Sequence, residues 1–135
     1  MTVNRLARLS NTSPYAVRYY TRIGLLKPRR NMQNGYKMYA DSDVAQLRFI
    51  RRAKSLGFTL QEIAEILHES GQGKSPCPMA RQIIERRIEE NRRALNELIE
   101  LQARMEEALA RWSKMPDGVP DGDTVCHLIE TSEKP

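Results

Sequence analysis

Apolar and polar positions follow two rhythms along this chain, and the longer run sets the frame. Between Met79 and Trp112 there is neither Pro nor Gly, and strong helix formers (Ala, Leu, Glu, Arg) dominate. Ile84, Ile88, Asn91, Leu95, Leu98, Gln102, Met105, Leu109 and Trp112 recur at alternating steps of four and three. That 3.5-residue period is the seam of a coiled coil. At 1.5 Å per residue the helix reaches roughly 50 Å, too long to bury itself on one small domain. Its flanks, Arg86, Glu90, Arg93, Glu97, Glu100 and Arg104, carry charges of mixed sign. The pattern predicts a dimerisation rod over residues 79–113, paired as an antiparallel coiled coil. Asn91 and Gln102 are either imperfect core positions or polar positions that fix register.

Shorter elements precede the rod. Val3, Leu6 and Ala7 mark a helix over Val3–Leu9. Ser10-Asn11-Thr12-Ser13 is a turn, and Ser13 before Pro14 is a helix start. A second helix follows from Pro14 to Ile23, with Val17 and Ile23 facing the core and Gly24 placed to end it. Helix, polar turn, helix is the helix-turn-helix plan, whose second helix enters the major groove. Asn34-Gly35 is a hairpin signal and predicts a type I′ turn between strands Arg30–Gln33 and Tyr36–Tyr39. A basic hairpin there reads as a wing.

Asp41 is expected to cap a third helix, with Asp43 in its first turn, Val44, Leu47, Ile50, Ala53 and Lys54 on one face, and Leu56-Gly57 at its end. Thr59 and Glu62 fit a capping box opening a fourth helix, Leu60–His68, with Ile63, Ile66 and Leu67 on its apolar side. His68 there is a residue compatible with the helix C-terminus. The fold class is therefore mostly α: a winged helix-turn-helix domain over 1–70, a linker over 71–78, the rod over 79–113, and a C-terminal effector loop and tail over 114–135. A short strand or helical turn is expected over Thr124–Ile129, and fraying from Glu130.

Charge sharpens this picture. Residues 1–60 hold 12 Lys and Arg against two acids, and the remaining residues hold 10 against 15. A basic head on an acidic rod points to a polyanion, most simply nucleic acid. No apolar run approaches a membrane span, and no secretory signal is visible at Met1, so the expected location is the cytoplasm. Two cysteines in such a compartment argue against a structural disulfide. No nucleophile–base pair, Gly-rich phosphate loop or paired-carboxylate plan is found, so an enzyme is not expected. Cys77 lies before the rod and Cys126 after it. In an antiparallel pair, the start of one rod meets the end of the other, so the two sulfurs can meet across the interface.

The stretches VRYYTRIGLLKP and NGYKMYADSDVAQLRFIRRAKSLGFTLQEIAEIL resemble the MerR family of bacterial metal-responsive transcription regulators. The resemblance covers residues 1–70 in motif detail and the rest in layout. It implies a homodimer on promoter DNA whose spacer is too long for RNA polymerase, with effector binding deforming the DNA to realign the promoter. By motif position, Ser13, Tyr15, Arg18, Tyr19, Tyr20 and Arg22 are implied recognition-helix contacts. Arg30, Gly35, Tyr36, Lys37 and Tyr39 fall on the wing.

The resemblance also bears on the effector. Cys77 stands where sensors of divalent soft metals in the family carry a cysteine, and Cys126 matches the last cysteine of their metal loop. The cysteine such relatives usually carry near the end of the long helix is missing from Arg111-Trp112-Ser113-Lys114-Met115, and His127 is the candidate replacement. Thiolates and imidazole suit zinc, cadmium, mercury or lead; copper(I) fits less well because its sensors usually have Ser at the position of Cys77. Cys126 among Val125, Leu128 and Ile129 also reads as a small buried hydrophobe. Two adjacent residues such as Cys126 and His127 would point apart in a strand. A thiol redox sensor using the same cysteines, or a sensor of an organic effector, are the alternative readings.

Overall fold

The computed structural model describes residues 1–132. The chain divides into two units, Met1–Glu85 and Arg86–Pro135.

The first unit begins with α1 (Val3–Leu9), capped by the Thr2 side chain, which accepts from the Arg5 amide at 3.2 Å. After the turn, α2 (Pro14–Arg22) starts on Ser13, whose Oγ accepts from the Ala16 amide at 3.1 Å. Pro14 fits because its missing N–H would have had no helical partner. Ile23 caps the helix, and Gly24 takes φ +88°, a conformation that costs glycine little. Val17 is buried as expected, whereas Ile23 is largely exposed. The core is reached instead by Leu25 and Leu26, just past the helix end.

The wing is shorter in strand and longer in loop than the dipeptide signal implied. β1 (Arg29–Arg30) pairs antiparallel with β2 (Lys37–Met38) in the register Arg29 with Met38 and Arg30 with Lys37. Six residues therefore separate the strands, not two. Gly35 has φ +71°, but Asn34 does not have positive φ, so the expected type I′ turn does not form. Side-chain amides replace it: Asn31 Oδ1 accepts from the Gln33 amide at 2.8 Å, and Asn34 Oδ1 from the Tyr36 amide at 2.9 Å. Backbone bonds from Asn31 N to Tyr36 O and from Gly35 N to Asn31 O close the loop.

α3 (Asp41–Ser55) is capped at Ala40, one residue earlier than expected. Asp43 rather than Asp41 carries the cap, its carboxylate accepting from the Ala40 amide at 2.8 Å. Leu47, Ile50 and Ala53 are buried, while Lys54 points to solvent. Two arginines of α3 hold the end of α1: Arg48 donates to Leu9 O at 3.2 Å and Arg51 to Ser10 O at 2.9 Å. Cations there satisfy carbonyls that the helix end leaves open.

α4 (Leu60–Gly71) runs past His68 and opens on the expected capping box. Glu62 N donates to Thr59 Oγ1 at 3.1 Å, and Thr59 N to Glu62 Oε1 at 2.9 Å. α5 (Cys77–Trp112) begins two residues before Met79, so Cys77 is its first residue and does not belong to the linker. Pro78, in the first turn, again forfeits no helical bond. Ile83 is buried in the first unit's core with Leu6, Val17, Leu26, Leu47, Ile50 and Ile63, and Met79, Ala80 and Ile84 pack against it.

The second unit holds the rest of α5, a loop, and α6 (His127–Glu130). All 36 residues of α5 amount to about 54 Å of helix. Ile88, Leu95, Leu98, Met105 and Leu109 of the expected seam are exposed on the single chain, while Trp112 is half-buried. Gln102 donates to Glu106 at 3.0 Å within the helix. Flanking pairs such as Arg92–Glu89 at 2.9 Å and Arg111–Glu107 at 3.2 Å stabilise the helix by only a few tenths of a kcal/mol each, about 0.3–0.5 at exposed sites. Past the helix, Asp121 Oδ1 gathers the Asp123 and Thr124 amides into a tight turn. Glu130, expected to fray, closes α6, and the Thr131 and Ser132 hydroxyls donate to Leu128 O. The rest of that expected fraying lies outside the described residues. No helix among the described residues is long and apolar enough to cross a membrane.

Candidate nucleic-acid interface and effector residues

No acidic residue occurs in the first forty positions. The surface built from α2 and the wing is therefore cationic throughout. On α2, Tyr15 is 73% exposed, and Arg18 and Arg22 are exposed as well. The Arg22 guanidinium lies 5.3 Å from the centroid of the half-buried Tyr19 ring. Ser13 spends an oxygen lone pair on the cap and keeps its hydroxyl proton for an acceptor outside the helix. Arginines and phenols of this kind serve base edges and phosphates.

Two of the expected contacts are placed differently. Tyr20 is half-buried and packs against the core, its ring 5.7 Å from that of Tyr19. Tyr39 is only 4% exposed, and its hydroxyl bonds the Thr21 hydroxyl at 2.7 Å. Thr21 in turn donates to Val17 O at 2.8 Å. Tyr39 is thus a correction to the wing assignment. Its phenol anchors the foot of the wing to the last turn of α2, and does not reach outward. Strand alternation does not account for this: β2 ends at Met38 with both of its residues exposed, and Tyr39, just beyond the strand, turns into the core. The backbone of Tyr39 is held as well, by bonds to both the amino group and the carbonyl of Met1.

The remaining wing residues are free to act. Arg29, Arg30, Lys37 and Tyr36 are all exposed. Arg30 also donates to Gly35 O at 3.3 Å, which couples the guanidinium to the loop. Sequence reasoning missed the two asparagine side chains that shape this loop. Their only signal was the spacing Asn31-x-x-Asn34, typical of residues that bond nearby amides.

The candidate effector residues fall in different units. Cys77, in the first, is exposed and its amide donates to Ser75 Oγ at 3.3 Å. It sits on the rim of an apolar groove of about 520 Å³ lined by Phe49, Ala53, Leu56, Phe58 and Ile84. Cys126, in the second unit, is a free thiol, half-buried, at the N-cap position of α6. His127 is the first residue of that helix, and its Nε2 lies 2.9 Å from Pro116 O. That bond ties α6 to the loop leaving α5 and leaves Nδ1 as the open ring nitrogen. The expected turn of helix begins only at His127, and Cys126 itself keeps an extended backbone with φ −143° and ψ 107°. A cavity of about 290 Å³ lies beside Cys126 and His127, with Asp117 and Thr124 on its wall. Among the described residues, no three His, Cys, Asp or Glu side chains come together as a metal site.

The Asp121 carboxyl is held below the usual carboxylate range by the Asp123 amide, then by the amide and hydroxyl of Thr124. It serves the turn that leads the chain to Cys126.

Comparison with known proteins agrees with this geometry. A family model described as MerR HTH family regulatory protein matches residues 1–70, and one described as MerR, DNA binding matches residues 44–108. The chain is 26% identical over 133 residues to the HTH-type transcriptional regulator ZntR of Escherichia coli K12, covering 98% of this chain and 92% of that one. It is 31% identical over 112 residues to a probable heavy metal-dependent transcriptional regulator of Haemophilus influenzae, covering 83% and 84%. Several other relatives are matched over about half of their own length. Among solved structures, the regulator PbrR691 of Ralstonia metallidurans, crystallised with lead(II), superposes with a TM-score of 0.76 at 20% identity, over 97% of this chain and 98% of that one. The acid-free recognition helix, the wing locked beside it and these matches lead to one assignment: the chain belongs to the MerR family of DNA-binding transcription regulators.

Proposed function

We propose that this regulator works as an antiparallel homodimer that senses a soft or borderline metal ion. The single observation that carries the reading is the apolar seam of α5, left uncovered on one chain, with a free thiol at each end. Covering Ile88, Leu95, Leu98, Met105 and Leu109 needs a second copy. Antiparallel pairing then brings Cys77 of one copy to the Cys126 loop of the other. Pairing of two copies would supply donors from both chains, and among the described residues of one chain no three such side chains come together. The donor chemistry fits: two thiolates, with His127 Nδ1 as a third ligand, suit zinc, cadmium, lead or mercury.

Binding would tie the loop of one subunit to the DNA-binding unit of the other. Cys77 begins the helix whose first turns pack into the core that also holds α2. Ordering that joint changes the setting of two recognition helices on two half-sites, and so the bend and twist of the promoter between them. RNA polymerase would then read the realigned promoter in the cytoplasm. The printed descriptions of the relatives, one heavy metal-dependent and one crystallised with lead(II), support this reading.

The test is metal titration of the reduced dimer with zinc, cadmium, lead and mercury, followed by in-vitro transcription with each ion. Tight binding that is lost in Cys77→Ser and in Cys126→Ser, with transcription following occupancy, is the expected result. A reversible disulfide between the same cysteines, with no metal bound and transcription following oxidation, would replace metal sensing with redox sensing.

A further inference from the structure

The most exposed large apolar side chain among the described residues stands at the tip of the wing. Met32 is 98% exposed. Isolated apolar residues on a surface need no explanation, but three features set this one apart. Its loop is not slack: Asn31, Asn34 and Arg30 side chains and two backbone bonds fix residues 31–36. It has apolar company on the same wing, Tyr36 at 71% and Met38 at 40% exposure. The two strands that carry its loop hold the cations Arg29, Arg30 and Lys37, with no acid from residue 1 to residue 40. A grip on phosphates alone would need only the cations.

The Tyr39–Thr21 bond roots the wing at the last turn of α2. A recognition helix in the major groove therefore carries this tip toward the adjoining minor groove. Cationic residues that flank an apolar side chain are the equipment of proteins that press a wedge against or between base steps there. We infer that Met32 is a minor-groove wedge: Arg29, Arg30 and Lys37 hold the phosphates while the methionine side chain pushes on one base step beside each half-site. The inference rests on the DNA-binding assignment and is independent of the metal reading. It gives the wing a part in deforming the promoter as well as in gripping it.

The test uses the full-length dimer and a duplex selected from a random library for tight binding, with 2-aminopurine placed in turn at each step flanking the half-sites. Wild type should raise fluorescence at one symmetry-related pair of steps, as unstacking does. Met32→Ala should abolish that rise and weaken binding on the order of tenfold, the cost of one lost specific contact. Its dependence of affinity on salt should stay unchanged, because no phosphate contact is removed. Met32→Leu should restore both, and Lys37→Ala should reduce the salt dependence while keeping the fluorescence rise. Met32 should also be oxidised to the sulfoxide by peroxide in the free protein and protected in the complex. Full affinity with an unchanged fluorescence pattern in Met32→Ala, or equal oxidation of Met32 free and bound, would overturn the wedge. Failure of wild type to select any duplex would instead count against DNA binding itself.

Discussion

The two units of this chain solve the problem of apolar surface in opposite ways. In the first, Leu6, Val17, Leu26, Leu47, Ile50 and Ile63 are almost completely withdrawn from water. In the second, no described residue is buried, although Leu95, Leu98, Ile99, Met105 and Leu109 are as apolar as those in the core. The first unit closes because its helices are short and meet at turns capped by Ser13, Asp43 and Thr59, so several faces converge. The second is mainly one long helix and a loop, and a helix cannot cover its own stripe. The lesson is a division of labour. The head folds on its own side chains, and under the proposed function the rod is completed by another copy.

The sharpest way to break the contrast is to disrupt the apolar set of each unit in turn. Leu47→Ala should destabilise the head by about 2–5 kcal/mol, read as a fall in thermal midpoint at any protein concentration. Leu95→Asp combined with Leu98→Asp should leave the head's folding intact but convert the protein to monomer in sedimentation. If the double variant stays dimeric, the seam is not the interface. Next in size, Arg18→Ala should weaken operator binding by about 1–3 kcal/mol in a gel-shift titration and leave the thermal midpoint alone. Tyr39→Phe should lower the thermal midpoint and weaken binding less than Arg18→Ala does. It removes the hydroxyl that meets Thr21, so it loosens the wing and costs about 1 kcal/mol of stability. Thr59→Ala should cost about 1 kcal/mol by removing half of the capping box.

The smallest effect belongs to the loop of the second unit. Asp121 has its carboxyl pKa lowered in the fold, so its contribution is present above the ordinary carboxylate value and fades as pH falls through the lowered one. Amide exchange at Asp123 and Thr124 should therefore quicken in acid relative to other loop amides. Asp121→Asn should show the same quickening at neutral pH.

Legibility in the sequence followed how local the determining physics was. The Thr59–Glu62 box, the Ser13-Pro14 start and the Gly24 stop were readable because each is a bond or dihedral within a few residues. The wing register was not, because Asn31 and Asn34 side chains outcompete the two-residue turn that Asn34-Gly35 alone suggests. Tyr39 read as a surface phenol because its partner, Thr21, is 18 residues away. Asp43 displaced Asp41 as the cap because its carboxylate reaches back to Ala40, a geometry that neighbouring acids leave ambiguous. For the effector residues the sequence supplied the donor types, and the structure added the hydrogen bond of His127 to Pro116 and the placement of Cys77 on the first turn of α5.

The central claim is that each metal is held by thiols from opposite subunits, and a mixed dimer tests it most directly. Chains carrying Cys77→Ser and chains carrying Cys126→Ser are each purified, combined, and exchanged into a heterodimer. Pairing across the interface leaves one intact Cys77–Cys126 couple in that heterodimer, so it should bind one metal ion per dimer although neither parent homodimer binds any. A heterodimer that binds no metal, beside a wild type that does, would contradict the account.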